Sequence, residues 1–246
     1  MALPGSALVS FAIYFPFYSF LSSQAGDTGA LASLSGPIEV RLAAEIPSKA
    51  TFEVIMRPLS NVPGTESKSL ATTIRSSLEP SLILTKNPRT LVQLVIQGLS
   101  SPSNIYSKDS LSAAMINAST LAFLKASSVP MKGVVTAVSV GQLRSGALIL
   151  DPNDEEAESL HMGGVFAFLF ADAVVDCVWT SWKSTSGSYN EKEMFEAMGL
   201  GKIGARAVYD AMRENFQTVQ QVREGPTFSQ PEMTKMLEDD DDKMEI

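Results

Sequence analysis

Cysteine and histidine are almost absent from the 246 residues, with one of each, Cys177 and His161. A lone cysteine cannot form an internal disulfide, which suits a reducing compartment. One histidine excludes a His-rich zinc centre, and together with Cys177 it supplies only two nitrogen or sulfur ligands. A Cys–His nucleophile pair is formally available. Cys177 lies in the apolar stretch Ala173–Trp182, however, a setting that predicts a buried and inert thiol. No Walker-type phosphate loop occurs either.

Charge is sparse, at 19% of residues, and leans acidic: 27 acids against 19 bases give a net −8. A surface that coats duplex DNA needs the opposite sign and is excluded. The imbalance is local. Residues 224–246 carry eight acids and two lysines, a net −6, which leaves −2 for residues 1–223. The body is nearly neutral, so its charge does not oppose contact with RNA. The tail contains Asp239–Lys243 (DDDDK), a like-charge run expected to stay solvated and disordered. That run also matches a protease recognition site used in recombinant fusions. With 45% hydrophobic residues the body has enough material for a sizeable core.

Long hydrophobic runs are missing too. The longest near the start, Ala7–Leu21, is short for a membrane span and is interrupted by Pro16. No Lys or Arg precedes Arg41, so the positive region of a secretory signal is lacking. Its aromatic and β-branched content predicts one or two buried strands broken at Pro16.

What is present reads as alternating elements. Thr28–Ser35 is an apolar run closed by the turn signal Gly36-Pro37, and Ile38–Leu42 resumes in extended form. Ala50–Arg57 alternates as a strand, with Phe52, Val54 and Met56 on one side, followed by a loop over Leu59–Thr65. From Glu66 the period lengthens: Leu70, Ile74, Leu78 and Leu82 predict an amphipathic helix with Pro80 near its end. Arg89–Leu99 is strand-like, Ser100–Lys108 is polar loop, and Ser110–Ala126 is a helix of small residues suited to close packing. Val134–Val140 and Ala147–Leu150 form a predicted hairpin. Asp151–Ser159 reads as an acidic loop. Val165–Ala171 and Val174–Trp182 are apolar strands, and the low polarity of Val165–Ala171 suits burial in an assembly. Asn190 is placed to cap a final helix running to about Val222 and ended by Gly225-Pro226. The expectation is an α/β (α+β) domain with a mixed sheet and packed helices over residues 18–223. An atypical segment, residues 1–17, precedes it, and the tail of residues 224–246 follows.

Few of these residues form a constellation that carries chemistry. Gly199–Gly204 contains G-x-G-x-x-G, but inside a helical pattern rather than between strand and helix, so close helix packing is the expected role. Asp151, Asp154, Glu155, Glu156 and Glu158 could offer oxygen ligands to a divalent ion, and a solvated loop is the expectation. His161 has no partner nearby in sequence. Composition and spacing alone supply no active site, metal or cofactor.

The order of short strings is more informative. Gly26-Asp27-Thr28, Gly36–Val40 (GPIEV), Glu53–Pro58 (EVIMRP), Pro88-Arg89-Thr90, Ala114–Ala122 (AMINASTLA) and Ile149–Pro152 (ILDP) together resemble the RNase PH family, over about residues 18–223. The Arg-Ala-Asp-Gly-Ser start usual in that family is missing. Active members degrade RNA from its 3′ end by phosphorolysis, holding phosphate with two arginines beside a catalytic aspartate. The resemblance places the first arginine at Arg89. It aligns the family's Gly-Gly-Thr-Arg run with Asp109-Ser110-Leu111-Ser112, so Ser112 replaces the second arginine. The aspartate position falls on Gly163, flanked by Met162 and Gly164, and Asp172 lies too far along to replace it.

A dianionic phosphate needs charge-assisted donors, and Asp109 nearby adds repulsion. The resemblance therefore implies a chain without catalytic residues that serves as a wall subunit of the RNA exosome core ring. Its partners would be other RNase PH-like ring subunits, S1/KH-type cap subunits, a separate 3′-to-5′ exoribonuclease and single-stranded RNA. No membrane is implied, and the expected location is nucleus, nucleolus and cytoplasm. Arg57, Lys68 and Arg89 are the candidate RNA-binding cations. The competing readings are an active phosphorolytic exoribonuclease completed by Asp172 or Asp151, and a free RNA-binding protein of the same fold.

Overall fold

Alternation along the chain builds two four-stranded sheets rather than one. The structure, a computed structural model, describes residues 18–25, 28–60, 62–102, 104–172, 174–185 and 187–224. The expectations for residues 1–17, for Gly26-Asp27 and for the tail beyond Glu224 lie outside the described residues.

The first sheet contains β1 (Tyr18–Ala25), β2 (Thr28–Glu39), β3 (Thr51–Arg57) and β4 (Thr90–Gly98), in the order β1-β2-β4-β3. β1, β2 and β4 pair antiparallel, whereas β3 and β4 run parallel. A parallel pair needs a crossover, supplied by α1 (Thr65–Leu78) on the apolar stripe seen in the sequence. That helix stops at Leu78, and Pro80 lies in the following 3-10 turn, Glu79–Ser81. Gly36-Pro37 does not end β2. The strand passes through it with a register shift between Ser35 and Ile38, because a bulge accommodates a residue that cannot donate to the ladder.

The second sheet is antiparallel, ordered β6-β5-β7-β8, from β5 (Val134–Leu143), β6 (Leu148–Leu150), β7 (Leu160–Ala171) and β8 (Val174–Ser184). Its central strands β5 and β7 are apolar on both sides because both of their faces are covered. Val135, Ala137, Val165 and Ala167 share a core with the first sheet, while Val138, Val140, Phe166, Phe168 and Phe170 face the other way. The apolar run Val165–Ala171 is thus spent inside the chain and is not an assembly surface. Between β6 and β7 the acidic segment expected to be loop contains a short helix, α3 (Asp154–Glu158). Its Asn153–Glu156 capping box satisfies the first backbone donors.

α2 (Ile105–Ala126) is buried almost all round, touching strands of both sheets and α1. Small residues on every side, including Ala114, Ala118 and Ala122, permit that close approach. Asn117 is buried here and is satisfied by the β5 backbone, donating to Ala137 O and accepting from Ala137 N, both at 2.8 Å.

The contacts divide the chain into Met1–Tyr209 and Asp210–Ile246. α4 (Glu191–Glu224) begins in the first unit and runs without a break through the glycines. There Ala197 and Ala205 pack with Phe166 and Phe168, and Phe170 stacks on Tyr209 with ring centroids 5.0 Å apart. A β-carbon at Gly204 would stand 2.6 Å from Leu150 Cδ1, so this glycine serves close packing, as the sequence predicts. In the second unit α4 continues to Glu224, with Asn215 Nδ2 donating to Ala211 O at 2.8 Å. No helix among the described residues is long and apolar enough to cross a membrane.

Candidate functional site

A cleft of about 420 Å³ opens where the C-terminal ends of β3 and β4 meet α1, the first turns of α2, and β7 and β8. Leu70, Leu111, Ile116, Val165 and Trp179 are among its apolar lining residues. Three of the residues aligned with the phosphate-binding run line it, Asp109 and Ser112 in addition to Leu111.

α2 begins five residues earlier than the small-residue pattern suggests. Asn104 caps it, its side-chain oxygen accepting from Tyr106 N at 2.9 Å and Ser107 N at 2.8 Å. That early start puts Lys108, Asp109 and Ser112 on the first turns. Ser112 Oγ turns back to Lys108 O, 2.8 Å away.

The charged groups of the cleft neutralise one another. Lys108 Nζ lies 2.6 Å from Glu66 Oε1 on α1, and Lys183 Nζ on β8 lies 2.8 Å from Asp109 Oδ1. Burial pushes the Asp109 carboxyl above its ordinary value, opposed by the hydrogen bond and charge of Lys183. Among the described residues these four are its charged lining residues. An incoming phosphate therefore meets two lysines already held by carboxylates.

The position expected for a catalytic aspartate is closed. Tyr106 covers Gly163, where a β-carbon would stand 2.7 Å from Tyr106 Cδ1. The phenol is fixed there, donating to His161 O at 2.9 Å and lying 2.8 Å from Thr185 Oγ1. At Gly164 a β-carbon would fall 1.7 Å from Ser181 O on the neighbouring strand. Tyr106 and Lys183 were not legible as site residues, since their partners lie 55 and 74 residues away.

Other expected residues are dispersed. Arg89, with φ +59°, precedes β4 and is ion-paired with Glu45 at 3.3 Å. Gly98 at the other end of β4 lines the cleft, so Arg89 and Ser112 are not brought together. Nine residues of strand separate Arg89 from Gly98, about 30 Å at ~3.3 Å each. Asp172 sits in the β7–β8 turn, nine residues past Gly163 and a similar distance away, so it cannot complete a site there. Asp151 instead accepts from Ser139 Oγ at 3.1 Å behind α2, and burial raises its pKa. Arg57 ends β3 and is exposed, alternating to the face opposite the cleft-lining Met56. Lys68 is exposed on α1 between the lining residues Ser67 and Ser69.

Cys177 corrects the sequence expectation. It is exposed rather than buried, because β8 is an edge strand. Partial cover of its thiol still raises the pKa. Cys177 pairs in register with Phe168, seven residues along β7 from His161, about 23 Å, so the formal Cys–His pair does not form. Among the described residues no group of three or more His, Cys, Asp or Glu is arranged to hold a metal ion.

This chain is similar to proteins of known assignment. The family described as "3′ exoribonuclease family, domain 1" (RNase PH) matches residues 20–128. The exosome complex component rrp46 of Schizosaccharomyces pombe is 34% identical over 189 residues, covering 77% of this chain and 80% of that protein. The exosome complex exonuclease RRP46 homolog of Oryza sativa is 26% identical over 203 residues, covering 78% and 82%. The crystal structure of rice Rrp46 has a TM-score of 0.76 at 24% identity, covering 88% of this chain and 98% of that one.

Proposed function

This chain belongs to the RNase PH 3′ exoribonuclease family and has its fold, and from that premise we propose that it is a non-catalytic subunit of an RNA exosome core ring. Within that ring it fills the RRP46 position, the type called exosome component 5 in animals. The relatives named as exosome components support the assembly. The observation that supports a non-catalytic reading is Tyr106 packed onto Gly163, the position that the family resemblance assigns to the catalytic aspartate.

In this reading the chain docks on neighbours of the same fold and contributes wall to a channel for single-stranded RNA. S1/KH-type cap subunits and a separate 3′-to-5′ exoribonuclease complete the machine, in nucleus, nucleolus and cytoplasm. Arg57 and Lys68 supply cations at one end of the first sheet and Arg89 at the other. A channel that tracks phosphates uses such separated charges, whereas a single phosphate site does not.

The word exonuclease in the rice relative's name favours the competing reading of an active phosphorolytic enzyme. Incubating the purified chain with single-stranded RNA and inorganic phosphate separates the two. No release of nucleoside diphosphates is expected; sustained, phosphate-dependent release would overturn the non-catalytic reading. Co-purification with exosome ring subunits tests the assembly, and a monomer indifferent to them would overturn that part.

A further inference from the structure

The described residues at the mouth of the cleft, Pro58–Ser60 and Gly98–Pro102, carry no charge. Leu59, which lines the cleft, is 54% exposed, and Leu99, next to the lining residue Gly98, is 49% exposed. Inside, Trp179 offers an aromatic wall that is only partly buried. A groove that gripped nucleic acid would present cations here. This one presents two exposed leucines and the exposed Glu66–Lys108 pair outside, and inside it Lys183 paired with the buried Asp109.

We propose that the cleft is the docking site for a short, uncharged segment of a neighbouring protein subunit, which inserts one large apolar side chain between α1 and β8. The lining selects that occupant by charge. A neutral segment leaves the Asp109–Lys183 pair intact, whereas a phosphate or a charged peptide that drew Lys183 away would strand the buried Asp109 carboxylate. Size agrees, because about 420 Å³ falls within the range of clefts that enclose a compact ligand. The apolar floor and Trp179 provide the desolvated pocket in which an interface anchor gains most. Hydroxyls of Ser60, Ser100 and Ser101 at the mouth can pair with the backbone of an extended segment. Arg57, on the opposite face of β3 from Met56, remains available to RNA while the cleft is filled by protein.

This inference rests on the ring-subunit reading and names the chemistry of one of its contacts. The test uses the full chain with Cys177→Ser and Ser101→Cys, so that the only thiol lies in the cleft lining. Maleimide labelling is timed on the isolated chain and on the assembled complex, with and without nuclease. A benzophenone maleimide at the same thiol then maps what lies against it. Labelling slowed at least tenfold in the complex, nuclease-resistant, with cross-links to a neutral segment bearing a large apolar residue, is expected. Labelling within twofold of the isolated chain, protection removed by nuclease, or cross-links to a charged segment would each overturn it. A chain that assembles with an open cleft defeats this inference alone. A chain that does not assemble defeats the ring-subunit reading and this inference with it.

Discussion

Lys183 on β8 and Asp109 on α2 meet at 2.8 Å, although 74 residues separate them in the chain. The carboxylate is buried and the ammonium is half exposed, so the pair is asymmetric. Lys183→Met leaves Asp109 without a cation. Breaking a fully buried pair costs about 3–5 kcal/mol. Solvent screening of Lys183 lowers the expectation to about 1–2 kcal/mol at neutral pH, read from urea unfolding.

The same pair sets a pH dependence. Burial raises the Asp109 pKa above 3.8, so the folded chain keeps this proton where the unfolded chain has lost it. The contribution of Asp109 to stability therefore falls as pH rises from 3.8 through the folded value. Subtracting the stability curve of Asp109→Asn from that of the unaltered protein should expose this decline, and Lys183→Met should steepen it. A difference curve that rises across the same window would contradict the assignment.

Tyr106 and Gly163 form a second coupled pair. Gly163→Ala places a methyl 2.7 Å from the Tyr106 ring and should destabilise by about 1–3 kcal/mol. Tyr106→Ala loses ring contacts and the hydrogen bond to His161 O. The double variant should be less damaged than the sum of the two, by at least 0.5 kcal/mol, the order at which contacting sites couple. Additive losses in thermal unfolding would show that the ring does not occupy the position.

Asn104 accepts two α2 amides while its own Nδ2 is buried and has no hydrogen-bond partner among the described residues. Asn104→Ala should cost about 1 kcal/mol. Asn104→Asp keeps the acceptor, removes the orphaned donor and places a negative charge at a helix N-terminus, so it should equal or exceed the original stability. Chemical denaturation of the three proteins decides the order, and Asp falling below Ala would refute it.

Arg57 and Lys68 are exposed and make no ion pair among the described residues. If both reach RNA phosphates in the assembled complex, Arg57→Ala/Lys68→Ala should flatten the salt dependence of single-strand binding. The slope against log salt should shrink by about 1.4, at about 0.7 per lost contact. An unchanged slope would remove both from the channel.

Much of the fold was readable because burial imposes a period. β3 alternates as Phe52 and Met56 require, α1 keeps its four-residue stripe, and Gly201 and Gly204 of α4 serve close packing, whereas Gly199 faces open space. The start of α2 was not readable. Ile105–Ser112 is rich in hydroxyls and shows no apolar stripe, since contact on several sides removes the contrast between faces. Cys177 departs from its expected burial for a different reason: an apolar stretch reads alike in a central and an edge strand, and the place of β8 at the sheet edge is a matter of topology.

By itself the sequence determined the family and the absence of an arginine and an aspartate at Ser112 and Gly163, because residue identity and order are local facts. It did not determine what fills those places. Tyr106 covers one, and Asp109 with Lys183 neutralises the cleft beside the other, through contacts spanning 55 to 74 residues. The length of β4 puts Arg89 about a strand away from the cleft that Ser112 lines. Coulomb and packing energies depend on distance in space, so only the tertiary structure could decide which charges cancel and which positions remain open.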